Sequence, residues 1–216
     1  MPRFLVISLA LPVSLAVGLS CFTAAAAAEP SGARDHLARI TQSGPAGLKA
    51  AQDAGRKAAF FCANCHGETG VSKYPEVPNL AGQHPVYVLG QIEAFLSGKR
   101  KDAFMQGLMK VLSDEEKAQI AVFLAAQPVP PSRPGAVAGE GRELFSRNCA
   151  RCHGAEAKGG ETFPRLAGQQ DEYLRRSLHR YLKASGERIY PPMTAAVNGL
   201  GEKNIEAVVN YLSSQP

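Results

Sequence analysis

The sequence contains no tryptophan, and phenylalanine and tyrosine bring aromatic content to only 7% of 216 residues. A core built from large aromatic side chains is therefore excluded, and something else must fill the interior. Cysteine is scarce too. Five residues are too few for a disulfide-built scaffold of this length. Charge of neither sign dominates: a formal net charge of +5 with 20% charged residues gives no concentrated basic face, so nucleic acid is not an expected partner. No segment alternates apolar and polar residues convincingly, which leaves β-strands without support. What is present, 45% hydrophobic residues, is globular rather than disordered composition.

The one long apolar run is at the N-terminus. Arg3 precedes an apolar stretch from Phe4 to Leu19, which gives way to Ala24–Ala28 and then Glu29. This order reads residues 1–28 as a cleaved signal peptide. The competing reading is a membrane anchor, since the stretch approaches spanning length; Pro12 in mid-run and the alanine exit favour cleavage. Removal of 1–28 discards Cys21 and leaves 188 residues with four cysteines, expected to be soluble and exported.

Those 188 residues repeat. Cys62-Ala-Asn-Cys65-His66-Gly67 recurs as Cys149-Ala-Arg-Cys152-His153-Gly154, 87 residues on. Pro78-Asn79-Leu80-Ala81-Gly82-Gln83 recurs as Pro164-Arg165-Leu166-Ala167-Gly168-Gln169, and Tyr87 as Tyr173, at an offset of 86. Met105 pairs with Met193, Leu112 with Leu200 and Leu124 with Leu212 at 88. An ordered series whose offset drifts by single residues indicates a duplicated domain. Residues 127–135 hold four prolines in nine and read as an extended, semi-rigid linker of up to ~28 Å. The expected domains are 29–131, with an additional N-terminal stretch over 29–48, and 132–216. Each is small for an apolar core to stabilise alone.

The fold class is all-α, with three main helices per copy. Residues 46–61 and 136–145 lead into the cysteine motifs. Residues 85–96 and 170–184 carry apolar residues at helical spacing, as Val88, Leu89, Ile92, Phe95 and Leu96 do in the first. Ser113-Asp-Glu-Glu116 is a capping box opening a helix to Ala126, with 204–213 as its counterpart.

All four remaining cysteines lie in Cys-x-x-Cys-His motifs, the attachment signal for c-type haem. On one helical turn both thiols share a face, which suits two vinyl groups along one haem edge, and the adjacent histidine reaches the iron. Three other readings compete. A redox disulfide does not need the histidine. A shared zinc must bridge the 84 residues from Cys65 to Cys149. Two structural disulfides leave the repeat unexplained. Two covalently bound haem c groups also answer the missing aromatic core, so haem-free protein is expected to fold poorly.

A sixth iron ligand separates carrier from enzyme, because it closes the iron to substrate. Met193 is the one methionine of the second copy. The first copy offers Met105 and Met109, and Met105 is selected because it precedes Leu112 by seven residues, as Met193 precedes Leu200. Met109 is expected in the haem crevice or the core. The expected axial ligands are therefore His66 and Met105, and His153 and Met193. The carbonyls of Pro78 and Pro164 either accept the Nδ1 protons of the two histidines or belong to prolines that only shape a loop. His84, His179 and His36 read as surface or helix-face residues. Lys99-Arg100-Lys101 reads as a solvated loop, or as a docking point for an acidic partner.

These paired motifs, each followed by Pro-x-Leu-Ala-Gly-Gln and Met-x6-Leu, resemble the dihaem cytochrome c4 family over residues 50–216. The resemblance implies two class I cytochrome c folds packed face to face and a periplasmic electron carrier, not an enzyme, often feeding a membrane terminal oxidase. Carried onto this chain, it gives haem attachment at Cys62, Cys65, Cys149 and Cys152. Partners are then redox proteins: an electron donor and a membrane oxidase or dehydrogenase, with peripheral membrane association compatible. The stretch 29–48 departs from the family, whose members start almost directly at the first haem helix; it is expected to dock a partner or to form a disordered leader. The alternative function is the electron-accepting cytochrome subunit of a dehydrogenase complex. A dihaem peroxidase needs an open iron position, which two matched methionines oppose.

Overall fold

The computed structural model describes Met1 and residues 32–129 and 139–215. The signal-peptide reading of 1–28 and most of the proline linker lie outside the described residues, within which no helix is long and apolar enough to cross a membrane. The described residues are helical, with a single isolated antiparallel bridge between Arg100 and Arg188.

The first copy comprises α1 (Ala33–Gln42), α2 (Gly44–Ala58), α3 (Ala63–His66), α4 (Pro85–Leu96), α5 (Ala103–Val111) and α6 (Asp114–Ala125). Its core gathers Leu89, Ile92 and Phe95 of α4, Met109 of α5, and Ile120, Phe123 and Leu124 of α6. The second copy comprises α7 (Gly139–Asn148), α8 (Ala150–His153), α9 (Asp171–Leu182), α10 (Pro191–Leu200) and α11 (Ile205–Ser213), the last entered through a 3₁₀ turn at Glu202–Asn204. Leu144, Phe145, Leu174, Leu200, Val208, Val209, Tyr211 and Leu212 form its separate core.

Several elements lie where the sequence puts them. Helix α4 spans Pro85–Leu96, with His84 as its N-cap. The capping box of α6 is complete: Ser113 N–H donates to Glu116 at 2.8 Å, and Glu116 N–H donates to Ser113 Oγ at 3.2 Å. Three corrections follow. Each copy has more than three helices, because α5 and α10 occupy segments expected to be loops. Asp102 starts α5 by accepting the Met105 N–H at 2.9 Å, and Pro191 supplies the fixed φ that starts α10. Secondly, residues 33–42 are neither a leader nor a free docking arm. Helix α1 buries Leu37 and packs Ala33 and Ile40 on the first core, while Arg34 pairs with both carboxylate oxygens of Glu93 at 2.6 and 2.7 Å. Thirdly, the first haem-side helix begins at Gly44, before the expected Ala46.

In both copies the helix leading into the cysteine turn, α2 or α7, crosses the last helix at a glycine. A Cβ on Gly55 would lie 2.0 Å from the Gln119 carbonyl oxygen, and one on Gly141 would lie 2.1 Å from that of Ala207. The neighbouring side chains are also equivalent, the Cβ of Phe123 beside Gly55 and that of Tyr211 beside Gly141. These backbone oxygens cannot swing aside, so a methyl group must push the helices apart. Gly141→Ala is expected to lower stability by about 3 kcal/mol, read from the denaturant midpoint. Gly160→Ala, whose Cβ meets open space, is the control. Equal midpoints for the two variants would contradict the close crossing.

Candidate haem sites

Each cysteine motif forms one helical turn, α3 or α8. Gly67 and Gly154 end these turns at φ +78° and +79°, a left-handed conformation that glycine adopts without steric cost. Cys65 and Cys152 are exposed, Cys62 and Cys149 are half-buried, and none of the four is in a disulfide. Burial pushes the Cys62 thiol up, and burial together with Cys152 pushes Cys149 up to about 11. A redox-exchanging pair needs the opposite, a thiol pKa lowered toward neutrality. The zinc alternative also lacks a donor set: no group of three or more His, Cys, Asp or Glu gathers among the described residues.

His66 and His153 are both buried, at 8% and 4% exposure. Their Nδ1 atoms lie 2.9 Å from the Pro78 carbonyl oxygen and 3.1 Å from that of Pro164. A carbonyl only accepts, so Nδ1 carries the proton in both rings. The prolines thus do more than shape a loop. Burial pushes both imidazoles down toward the neutral form, against the proline hydrogen bonds, and Arg100 adds to the effect at His66. A neutral ring protonated at Nδ1 presents the lone pair of Nε2, the form that binds a metal. Nε2 of His153 is buried without a hydrogen-bond partner. That orphaned nitrogen, beside two thiols on the same turn, fits a covalently attached haem.

The loops carrying these prolines are fixed in equivalent ways. Leu80 and Ala81 N–H donate to the Gly70 carbonyl, and Leu166 and Ala167 N–H donate to that of Ala157. Gly82 N–H reaches Leu124 of α6 at 3.0 Å, and Gly168 N–H reaches Leu212 of α11 at 3.1 Å. The histidine-holding loops are therefore tied to the segment just after the cysteine turn on one side and to the last helix on the other.

Met105 and Met193 occupy the same place, the third residue of α5 and of α10, and both are half-buried. Met109 is buried in the first core, and its repeat counterpart Val197 is buried as well. Met109 lies within the first core, whereas Met105 packs at its edge in a setting like that of Met193. His84 caps α4 through Nδ1, accepting the Val86 N–H at 3.3 Å. His179 lies on α9, 3.7 Å from Glu202, and His36 lies on α1.

Contacts between the copies involve residues to which local patterning assigns no such role. Of Lys99-Arg100-Lys101 the two lysines are exposed, as in a solvated loop, but Arg100 and the backbone are not free. Lys101 N–H donates to the Glu187 carbonyl at 2.7 Å and Ile189 N–H donates to that of Lys99 at 2.8 Å, forming the bridge. Arg100 turns inward to Gln91 at 2.9 Å and Tyr173 at 3.3 Å, and Arg188 donates to Ser177 at 2.9 Å. Burial pushes the Arg100 guanidinium down, and Arg188 adds to this. Burial raises the Tyr173 phenol, but Arg100 and Arg188 outweigh it and hold the group below its ordinary range. Two inward guanidiniums partnered by amide and hydroxyl groups form a strongly positive region, which suits the carboxylates that haem carries. The signal was available, because Arg100 and Arg188 share the 88-residue offset of the methionines.

Comparison with known proteins agrees with this geometry. The cytochrome c family model matches residues 52–127 and 138–216. Cytochrome c4 of Thiocapsa roseopersicina is 33% identical over 174 residues, covering 72% of this chain and 88% of that protein. A thiosulfate dehydrogenase electron acceptor of Stutzerimonas stutzeri is 33% identical over 180 residues, covering 76% of this chain and 82% of that one. The crystal structure of reduced recombinant cytochrome c4 from Pseudomonas stutzeri superposes with a TM-score of 0.68 at 29% identity, covering 76% of this chain and 98% of that structure.

Proposed function

Given that this chain belongs to the cytochrome c family, as a dihaem cytochrome c4 relative with two covalently attached haems, we propose that it is an exported, non-enzymatic carrier. It takes single electrons from a redox protein and passes them toward a membrane terminal oxidase. When bound, each haem supplies a one-electron iron couple. The chain's own residues do the rest. Cys62, Cys65, Cys149 and Cys152 hold the group by thioether bonds. His66 and His153, kept neutral by burial and oriented by Pro78 and Pro164, would each supply an imidazole nitrogen to the iron. Met105 and Met193 would each supply a thioether sulfur as the second protein ligand, which would close the iron to substrate.

The single observation that carries this reading is the equivalence of the two sites. Both histidines are held through Nδ1 by a proline carbonyl, and both methionines stand third in their helices. Two closed sites of one design suit transfer better than a division of labour between a catalytic and a supplying haem. Contact between the copies also spares the electron a diffusive step.

The second reading, an electron acceptor within a dehydrogenase complex, is supported by the relative from Stutzerimonas stutzeri. Mixing experiments with the purified holoprotein separate the two. Reduced protein oxidised rapidly by oxidase-containing membranes, with no stable dehydrogenase partner on purification, is the expected result. Tight co-purification with a dehydrogenase, together with inert behaviour toward such membranes, would establish the second reading instead.

A further inference from the structure

The Leu-Ala-Gly-Gln elements set one glutamine of each domain against the backbone N–H and carbonyl of a single residue of the other. The Pro78 carbonyl accepts the His66 Nδ1 proton at 2.9 Å. The N–H of that same peptide group belongs to Asn79, and it donates to Gln169 Oε1 at 2.7 Å. Gln169 Nε2 returns a bond to the Asn79 carbonyl at 2.9 Å. The second domain mirrors this. Pro164 accepts from His153 at 3.1 Å, Arg165 N–H donates to Gln83 Oε1 at 3.0 Å, and Gln83 Nε2 donates to the Arg165 carbonyl at 2.7 Å. Both glutamines are buried. Further bonds brace the first arrangement: the Asn79 side-chain amide donates to the Gly168 carbonyl at 3.0 Å, and Gln170 N–H also donates to Gln169 Oε1 at 2.9 Å.

We propose that Gln83 and Gln169 are positioning residues that tune the histidine of the opposite domain, Gln169 acting on His66 and Gln83 on His153. The proposal rests on the reading of these histidines as iron ligands. An amide whose N–H donates a hydrogen bond carries more negative charge on its carbonyl oxygen, and buried hydrogen bonds in series polarise one another. The more negative proline oxygen draws the Nδ1 proton harder. The ring gains anionic character, becomes a better donor to oxidised iron and lowers the reduction potential of its site. The glutamine acceptor therefore stabilises the oxidised state in the other domain, and each site senses the seating of its neighbour.

A merely structural clamp differs in its signature. If the glutamines only hold the copies together, loss of either loosens both sites alike, because the two contacts are reciprocal. The test uses the holoprotein with Gln169→Met and Gln83→Met, which keep side-chain length and remove the amide. Each site's potential is followed by NMR during a redox titration, through the ring protons of its own histidine, and small-angle scattering reports the domain arrangement. The expected result is crossed: Gln169→Met raises chiefly the potential of the His66 site, and Gln83→Met chiefly that of the His153 site, with scattering unchanged. Should Gln169→Met fail to fold, Gln169→Asn, shortened by one methylene, is expected to move the His66 site the same way. Variants that shift their own domain's site, both sites equally, or neither would overturn the proposal. A wild-type protein whose His66 and His153 ring protons show no paramagnetic shift when oxidised would instead remove the ligation reading beneath it.

Discussion

Met193→Leu is expected to abolish the methionine–iron charge-transfer absorption of one of the two sites, lower that site's potential by ~0.2 V, and leave the other untouched. The magnitude follows from the range that axial ligation commands, about 0.8 V across haem proteins, with methionine ligation toward the high end. Leucine fills a similar volume but offers no sulfur lone pair, so the fold is kept while the ligand is lost. The open position should then take up carbon monoxide when reduced. Met105→Leu is expected to do the same to the first site. Met109→Leu should leave both absorption bands in place, because Met109 is only 4% exposed within the first core. If Met109→Leu removes a band and Met105→Leu does not, the first site has been assigned to the wrong methionine.

Removing both attachment points of the second site, with Cys149→Ala and Cys152→Ala together, is expected to give a protein with one haem and a largely unfolded second copy. The second core is small: Phe145 and Tyr211, 5.5 Å apart between ring centres, are its large aromatic side chains. A domain of that size has little stability in reserve. It also contains a buried polar atom with no hydrogen-bond partner in the protein, the Nε2 of His153, which an attached group would satisfy. Loss of about 3 kcal/mol corresponds to roughly 100-fold faster amide exchange across α7–α11. The first copy has its own core and the additional cover of α1, and its exchange rates should change far less. Exchange in α9 and α11 as slow as in the intact holoprotein would show that the second copy folds without its haem.

Much of this architecture was legible because duplication turns weak signals into paired ones. The cysteine turns, the proline loops and α4 and α6 could be placed from residues alone, and the capping box at Ser113 fixed a helix start. What escaped was of two kinds. Helices α5 and α10 carry internal glycines, Gly107 and Gly199, and α10 opens on two prolines, so their short apolar patterns read as loop. Helix α1 shows the same limitation, since Leu37 is its single fully buried anchor and one apolar position makes no periodicity.

The other kind was long-range. Gln83 and Gln169 stood in plain view within a repeated motif, yet their partners lie 82 and 90 residues away. Arg100 sat in a run of three basic residues, which in isolation means a solvated surface. Its inward turn follows from Glu187, Arg188 and Ile189 of the other copy, which no local pattern reveals. Repeat equivalence was the usable clue in each case: a position matched across both copies but unexplained within either one belongs to their shared interface.

The most direct test of a two-site, histidine–methionine electron carrier is a redox titration of the purified holoprotein read through its full optical spectrum. Two one-electron steps are expected, each bleaching one equivalent of the methionine–iron band, with neither site binding cyanide or carbon monoxide readily. A single step from one haem, or a band of half the expected strength accompanied by ready ligand binding at the second iron, would contradict it.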